Sequence, residues 1–167
     1  ESLLQPQLNF SADKVTYPGD SLKLRVTHCN LDGFTVNVFR TTLSKATTDM
    51  PVINPAFYKK YARKVKTEHF SLLRPANYLP ADRMLLPDEP GIYVVQVVPD
   101  DKKGRTAENY LYLTRFKVLT IPLSTKDYEV VTLDAETGKP VADVQITFYS
   151  SYGTRENKVL EQKTTDA

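Results

Sequence analysis

Glycine, cysteine, histidine and tryptophan are all scarce in this chain. Six glycines are spread over 167 residues, and no two lie closer than 13 positions. A dinucleotide-binding G-x-G-x-x-G turn or a P-loop needs glycines packed within one loop, so phosphate cradling of either kind is excluded. The single cysteine, Cys29, cannot close an internal disulfide, and with only His28 and His69 beside it no cysteine-rich zinc site can form. Neither H-E-x-x-H nor G-x-S-x-G occurs, so the local signatures of zinc peptidases and of α/β hydrolases are missing. Apolar runs such as Leu85-Leu86 and Val94-Val95 are far shorter than the roughly 20 residues of a membrane-spanning helix. Lys and Arg total 22 against 20 Asp and Glu, and a net charge of +2 is too balanced to point to nucleic acid as a partner. No cofactor and no metal is expected.

What is present is an alternation of period two. Leu22, Leu24 and Val26 fall on one face of residues 20–28, with Lys23, Arg25 and Thr27 on the other. Phe34, Val36 and Val38 repeat the pattern, with Thr35 and Asn37 outward. Residues 92–98 are apolar on nearly both faces, which predicts a central strand with Tyr93, Val95 and Val97 on one side. A long Tyr-rich strand is predicted over 109–119, and Val144, Ile146 and Phe148 alternate with Gln145 and Thr147. Turn signals punctuate these runs at Pro18-Gly19-Asp20, Leu31-Asp32-Gly33, Glu89-Pro90-Gly91, Lys102-Lys103-Gly104 and Thr137 to Pro140. Strands covered on one side and spaced in this way predict an all-β, antiparallel β-sandwich. Adjacent strand residues point to opposite faces, so His28 and Cys29 do not form a nucleophile pair, and Cys29 is expected as a small buried hydrophobe.

One helix interrupts the pattern. Asn54 can cap, Pro55 suits the first helical position, and Phe57, Tyr61 and Val65 recur at helical spacing over 54–65. Lys59, Lys60, Arg63 and Lys64 form the other face, read as the solvated side of a short connecting helix; the sharper alternative is a grip on an acidic partner or a membrane surface.

A module boundary is expected between residues 118 and 119. Residues 1–118 carry net +5 and residues 119–167 net −3. Leu119 to Thr125, with Pro122, reads as a stiff joint. Residues 119–167 suffice for only a few strands, and Thr164 to Ala167 reads as cut in mid-domain, so a truncated second module of a longer protein is expected. Its incomplete sheets would leave edges through which residues 126–165 self-associate.

Three segments carry a family resemblance. Glu89 to Val97 (EPGIYVVQV) resembles the PG-Y-V-V strand that precedes a Thr-Asp or Thr-Asn joint in bacterial alpha-2-macroglobulin-like proteins, although here Arg115 follows Thr114. His28 to Arg40 is similar to the paired N-L-x-x-L-x-V-x-V-Y-R strands of their macroglobulin-like domains. Leu133 to Ala142, Val144 to Tyr149 and Lys163 to Ala167 resemble the hairpin and T-D-A turn of the following module. The resemblance implies an immunoglobulin- or fibronectin III-like macroglobulin domain over 1–118 and a partial one over 119–167. It further implies a non-catalytic scaffold segment of a protease-trapping protein in the bacterial envelope, periplasmic or surface-exposed, whose partners are neighbouring domains of the same parent and, through it, proteases. The thioester carried by many members needs glutamine three places after cysteine. Cys29 is followed there by Asp32, and Gln162 is preceded there by Val159, so no thioester lies in this segment.

Two other functions compete. A cell-surface adhesion or carbohydrate-binding module would use tyrosines for stacking, Tyr110 and Tyr112 foremost among ten; alternating tyrosines are more simply sheet packing, and tryptophan is absent. Catalysis has no motif to support it, and no enzyme is expected. The sequon Asn9-Phe10-Ser11 is an isolated match and carries no assignment.

Overall fold

The computed structural model describes residues 6–44, 50–72, 78–80, 84–85, 88–125, 127–149 and 159–166. The side chain of Leu22, the expected inward partner of Leu24, lies outside this set, as do Lys126, residues 150–158 and Ala167 of the self-association segment and the turn motif.

The chain is an all-β, sandwich-like fold with one short helix, and it forms two compact units, Glu1–Leu113 and Thr114–Ala167. The first contains strands β1 (Gln7–Ala12), β2 (Val15–Thr16), β3 (Ser21–Leu22), β4 (Leu24–Cys29) and β5 (Gly33–Thr41), then helix α1 (Pro55–Tyr61). It continues with β6 (Ala62–Ser71), β7 (Tyr78–Pro80), β8 (Met84–Leu85), β9 (Gly91–Pro99) and β10 (Ala107–Leu113). A three-stranded sheet in the order β1-β4-β7 faces a five-stranded sheet in the order β2-β10-β9-β5-β6, and β3 pairs with β8. Every pairing is antiparallel except the short contact of β2 with β10.

Inward positions of both sheets build one core. Leu8, Leu24 and Val26 from the smaller sheet meet Phe34, Val36, Val38, Tyr93, Val95, Val97, Leu111 and Leu113 from the larger. Strand β9 is central, as its two-sided apolar pattern predicts. The five turn signals fall between strands or run into a strand's first residue, as Gly33 does in β5 and Gly91 in β9; Gly19 (φ +81) and Gly138 (φ +69) occupy the left-handed region where a side chain is disfavoured. Asn30 (φ 53) makes the reversal from β4 to β5, a conformation that asparagine tolerates better than most residues.

The helix is shorter than its sequence pattern. Asn54 Oδ1 accepts the Phe57 N–H at 2.9 Å and Pro55 opens the helix, as expected, but it ends at Tyr61. Ala62 is already extended, because residues 62–71 pair with β5 over its whole length. Val65 fits a helical repeat after Phe57 and Tyr61 by coincidence of spacing; cross-strand pairing overrides it. Val65 is the extra residue of a β-bulge opposite Val38 and Phe39.

The second unit contains β11 (Phe116–Pro122), β12 (Tyr128–Asp134), β13 (Gln145–Tyr149) and β14 (Val159–Thr164), paired as two antiparallel hairpins. The expected strand over 109–119 is therefore two strands, β10 and β11, interrupted at Thr114-Arg115. Leu119 to Thr125 is not a joint either. Residues 119–122 are the second half of β11, hydrogen-bonded to β12, so the compact units divide between Leu113 and Thr114 and not at 118/119.

Candidate functional site

The outer face of the five-stranded sheet carries an aligned row of polar side chains. Thr67 on β6 stands opposite Asn37 on β5, Asn37 opposite Gln96 on β9, and Gln96 opposite Glu108 on β10. Thr67 Oγ1 donates to Asn37 Oδ1 at 2.9 Å, Asn37 Nδ2 to Gln96 Oε1 at 3.1 Å, and Gln96 Nε2 to Glu108 Oε1 at 2.8 Å. The row ends on Tyr58 of α1, whose hydroxyl donates to the same Glu108 oxygen at 2.6 Å. Burial, and then the hydrogen bond and negative charge of Glu108, push the Tyr58 hydroxyl far above the ordinary tyrosine range.

Aromatic rings close over this row. Phe57, 3% exposed, meets Tyr110 edge-on at 5.9 Å, and Tyr58 meets Phe39 at 4.6 Å. Tyr110 donates its hydroxyl to the Pro51 carbonyl at 2.7 Å. One of the two tyrosines considered for sugar stacking is thus engaged in seating the 51–61 segment on the sheet.

The histidines and the cysteine fall apart. His69 Nε2 lies 2.8 Å from Asp100 Oδ2 on the surface, directly over Gly33. Gly33 O accepts the Asp100 N–H at 3.1 Å, and a Cβ on Gly33 would meet Asp100 and the Phe70 carbonyl. Cys29 is exposed, contrary to the expectation of a buried thiol. Leu24 and Val26 set the inward parity of β4, which leaves Arg25, Thr27 and Cys29 outward. His28 points the other way, with Nε2 buried and unpartnered among the described residues, so no His–Cys pair forms. Among the described residues no cluster of His, Cys, Asp and Glu could hold a metal ion, and no helix is long and apolar enough to cross a membrane.

Strand β6 is an edge strand of the five-stranded sheet. It pairs with β5 on one side, and among the described residues nothing pairs with its other side. Lys59, Lys60, Arg63, Lys64 and Lys66 gather where α1 runs into this edge, and no acidic residue occurs between 59 and 66. Lys64 stands opposite Phe39 and Lys66 opposite Val38, so they flank the edge from opposite faces of the sheet. Lys60 Nζ sits 4.8 Å from the Tyr61 ring centre and Lys64 Nζ 5.4 Å from that of Phe39. The residue types were legible in the sequence. Their place on a strand edge was not, because 63–65 read there as helix.

In the second unit Asp134 organises a turn. Its Oδ1 accepts the Thr137 N–H at 2.7 Å, the Thr137 hydroxyl at 2.8 Å and the Glu136 N–H at 3.2 Å. These bonds, the Thr137 N–H foremost, hold the carboxyl below the usual carboxylate range. Thr132, 2% exposed, and Thr165 both donate their hydroxyls to the Val141 carbonyl, at 2.8 and 2.9 Å. That shared acceptor ties the β12 hairpin to the segment after β14. Between the hairpins lies an open groove of about 560 Å³, floored by Tyr128, Val130, Ile146, Phe148 and Leu160. Val118, Leu119, Ile121 and Leu123 are also exposed. No protein-family model matches the chain, and no curated protein matches it.

Proposed function

We propose that the chain is a non-catalytic structural segment of an alpha-2-macroglobulin-like, protease-trapping protein of the bacterial envelope. The observation that carries this reading is the placement of its family-like segments. Two of them, residues 28–40 and 89–97, supply neighbouring strands β5 and β9 at the centre of the larger sheet. The third supplies the Asp134 turn, the Pro140 bridge to Leu133, strand β13 and the last two residues of β14 in the second unit. Motifs that serve as consecutive sandwich framework fit a scaffold. The exposed apolar side chains of β11 and the groove between the hairpins suit packing against neighbouring modules of the same parent.

The test uses the intact parent protein exposed to trypsin with labelled methylamine. Chain cleavage with retained trypsin supports the trap, and label uptake adds a thioester elsewhere in the parent. Release of active trypsin with no label refutes the inhibitor reading and moves adhesion to first place.

A further inference from the structure

We propose that the outer edge of β6 over Thr67–Ser71, unpaired among the described residues, accepts an extended, acidic-ended segment of another protein as an added antiparallel strand. Three observations combine. From Thr67 to Ser71 the strand keeps an unbroken register with β5, and among the described residues no strand pairs with its opposite side, which offers backbone donors and acceptors over five residues. Strand addition to such an edge uses main-chain hydrogen bonds for affinity. Just before that stretch the bulge at Val65 interrupts the register, and residues 59–66, which lead into it, carry five basic residues and no acidic one. Lys66 is 3.9 Å from Glu68, the one acidic residue of β6, while Lys60 and Lys64 rest over aromatic rings, which fixes their stems beside the edge.

Charge on a strand edge normally keeps other strands away. Here the charge is of one sign and at one end. It therefore rejects a second copy of the chain, which would set basic cluster against basic cluster or against a bare ladder. It favours a strand whose carboxylates arrive at that end. Antiparallel pairing is the more stable arrangement, and it places the acidic residues at the C-terminal end of the incoming segment. The occupant is thus an extended peptide with a β-forming stretch of about six residues, as is typical for a strand, followed by several carboxylates. The proposal does not depend on whether the chain belongs to a protease trap.

The probe is a synthetic peptide of alternating threonine and valine followed by four glutamates, titrated into the full chain and read by amide NMR. Binding is expected to protect β6 amides from exchange and to weaken as salt is raised. The K60E/K64E double variant, whose side chains lie outside the core, is expected to bind about tenfold more weakly or worse while keeping its urea midpoint. Methylating alternate backbone nitrogens of the peptide is expected to abolish the β6 protection. Equal binding by the methylated peptide, or by the four glutamates alone, overturns strand addition. Equal binding by a peptide ending in four lysines overturns the charge rule, and absence of binding by the unmodified peptide overturns the proposal as a whole.

Discussion

Replacing Tyr58 with phenylalanine isolates one hydroxyl in the row across the five-stranded sheet. The ring keeps its place over Phe39, while Glu108 loses a donor at 2.6 Å and retains Gln96 at 2.8 Å. A hydrogen bond to a charged group contributes roughly 1.5–3 kcal/mol, and the surviving Gln96 bond places Y58F at the lower end, about 1.5 kcal/mol less stable near neutral pH. The loss has a pH signature. Tyr58 ionises far less readily in the folded chain than in the unfolded one, so its stabilisation is complete below the unfolded pKa of about 10 and declines above it. One pH unit higher, near pH 11, the unfolded wild type has gained about 1.4 kcal/mol from tyrosine ionisation that Y58F lacks. The gap between the two proteins should therefore close near that pH, with Tyr93 and Tyr110 contributing equally to both. Urea unfolding followed through the methyl signals of Val36 and Val95 reads the first unit alone. Equal stability near neutrality, or a gap that stays constant through pH 11, would refute the reasoning.

Gly33→Ala should destabilise the first unit by about 1–3 kcal/mol in the same assay, since the new methyl meets Asp100 and the Phe70 backbone 2.8 Å away. Gly138→Ala meets nothing within 4 Å, so only its φ of +69° opposes it, at about 1 kcal/mol, and Gly138→Asn should recover part of that in urea unfolding of the second unit. Asp134 is held ionised by Thr137, so its contribution is present above the unfolded carboxylate pKa and is lost as pH falls through the lower folded value. Carboxyl NMR should show the Asp134 titration moving upward in Thr137→Val. Sedimentation of the chain should show concentration-dependent association through residues 126–165, where Tyr128, Tyr149, Val159 and Leu160 are exposed; a concentration-independent monomer with protected amides there would exclude it.

The fold was legible where each strand declared a covered side. Leu24 and Val26, Phe34 to Val38, and Tyr93 to Val97 all lie in the core on the faces that their alternation indicates. Legibility failed where a local pattern competed with a distant partner. Val65 completes a helical spacing, yet β5 captures residues 62–71 as a strand. Pro122 suggests a joint, yet it ends a strand at the turn of a hairpin, where the missing N–H does little harm. Cys29 looked buried by residue type, but the parity set by Leu24 and Val26 decides otherwise. For the site, the basic residues and tyrosines could be named in advance. Their roles could not, because Asn37 and Gln96 are 59 residues apart and only sheet register reveals that they face one another.

That row of side chains also bears on how the sheet avoids mispairing. A slip of β5 against β9 by two residues would keep every apolar side chain facing inward, so burial alone barely distinguishes it from the native pairing. The same slip would set Asn37 against Val94 or Val98 in place of Gln96. It would strand a buried amide at a cost of about 1–3 kcal/mol. The four polar residues thus act as a checksum on strand assembly, rejecting near-native errors that the hydrophobic core would accept.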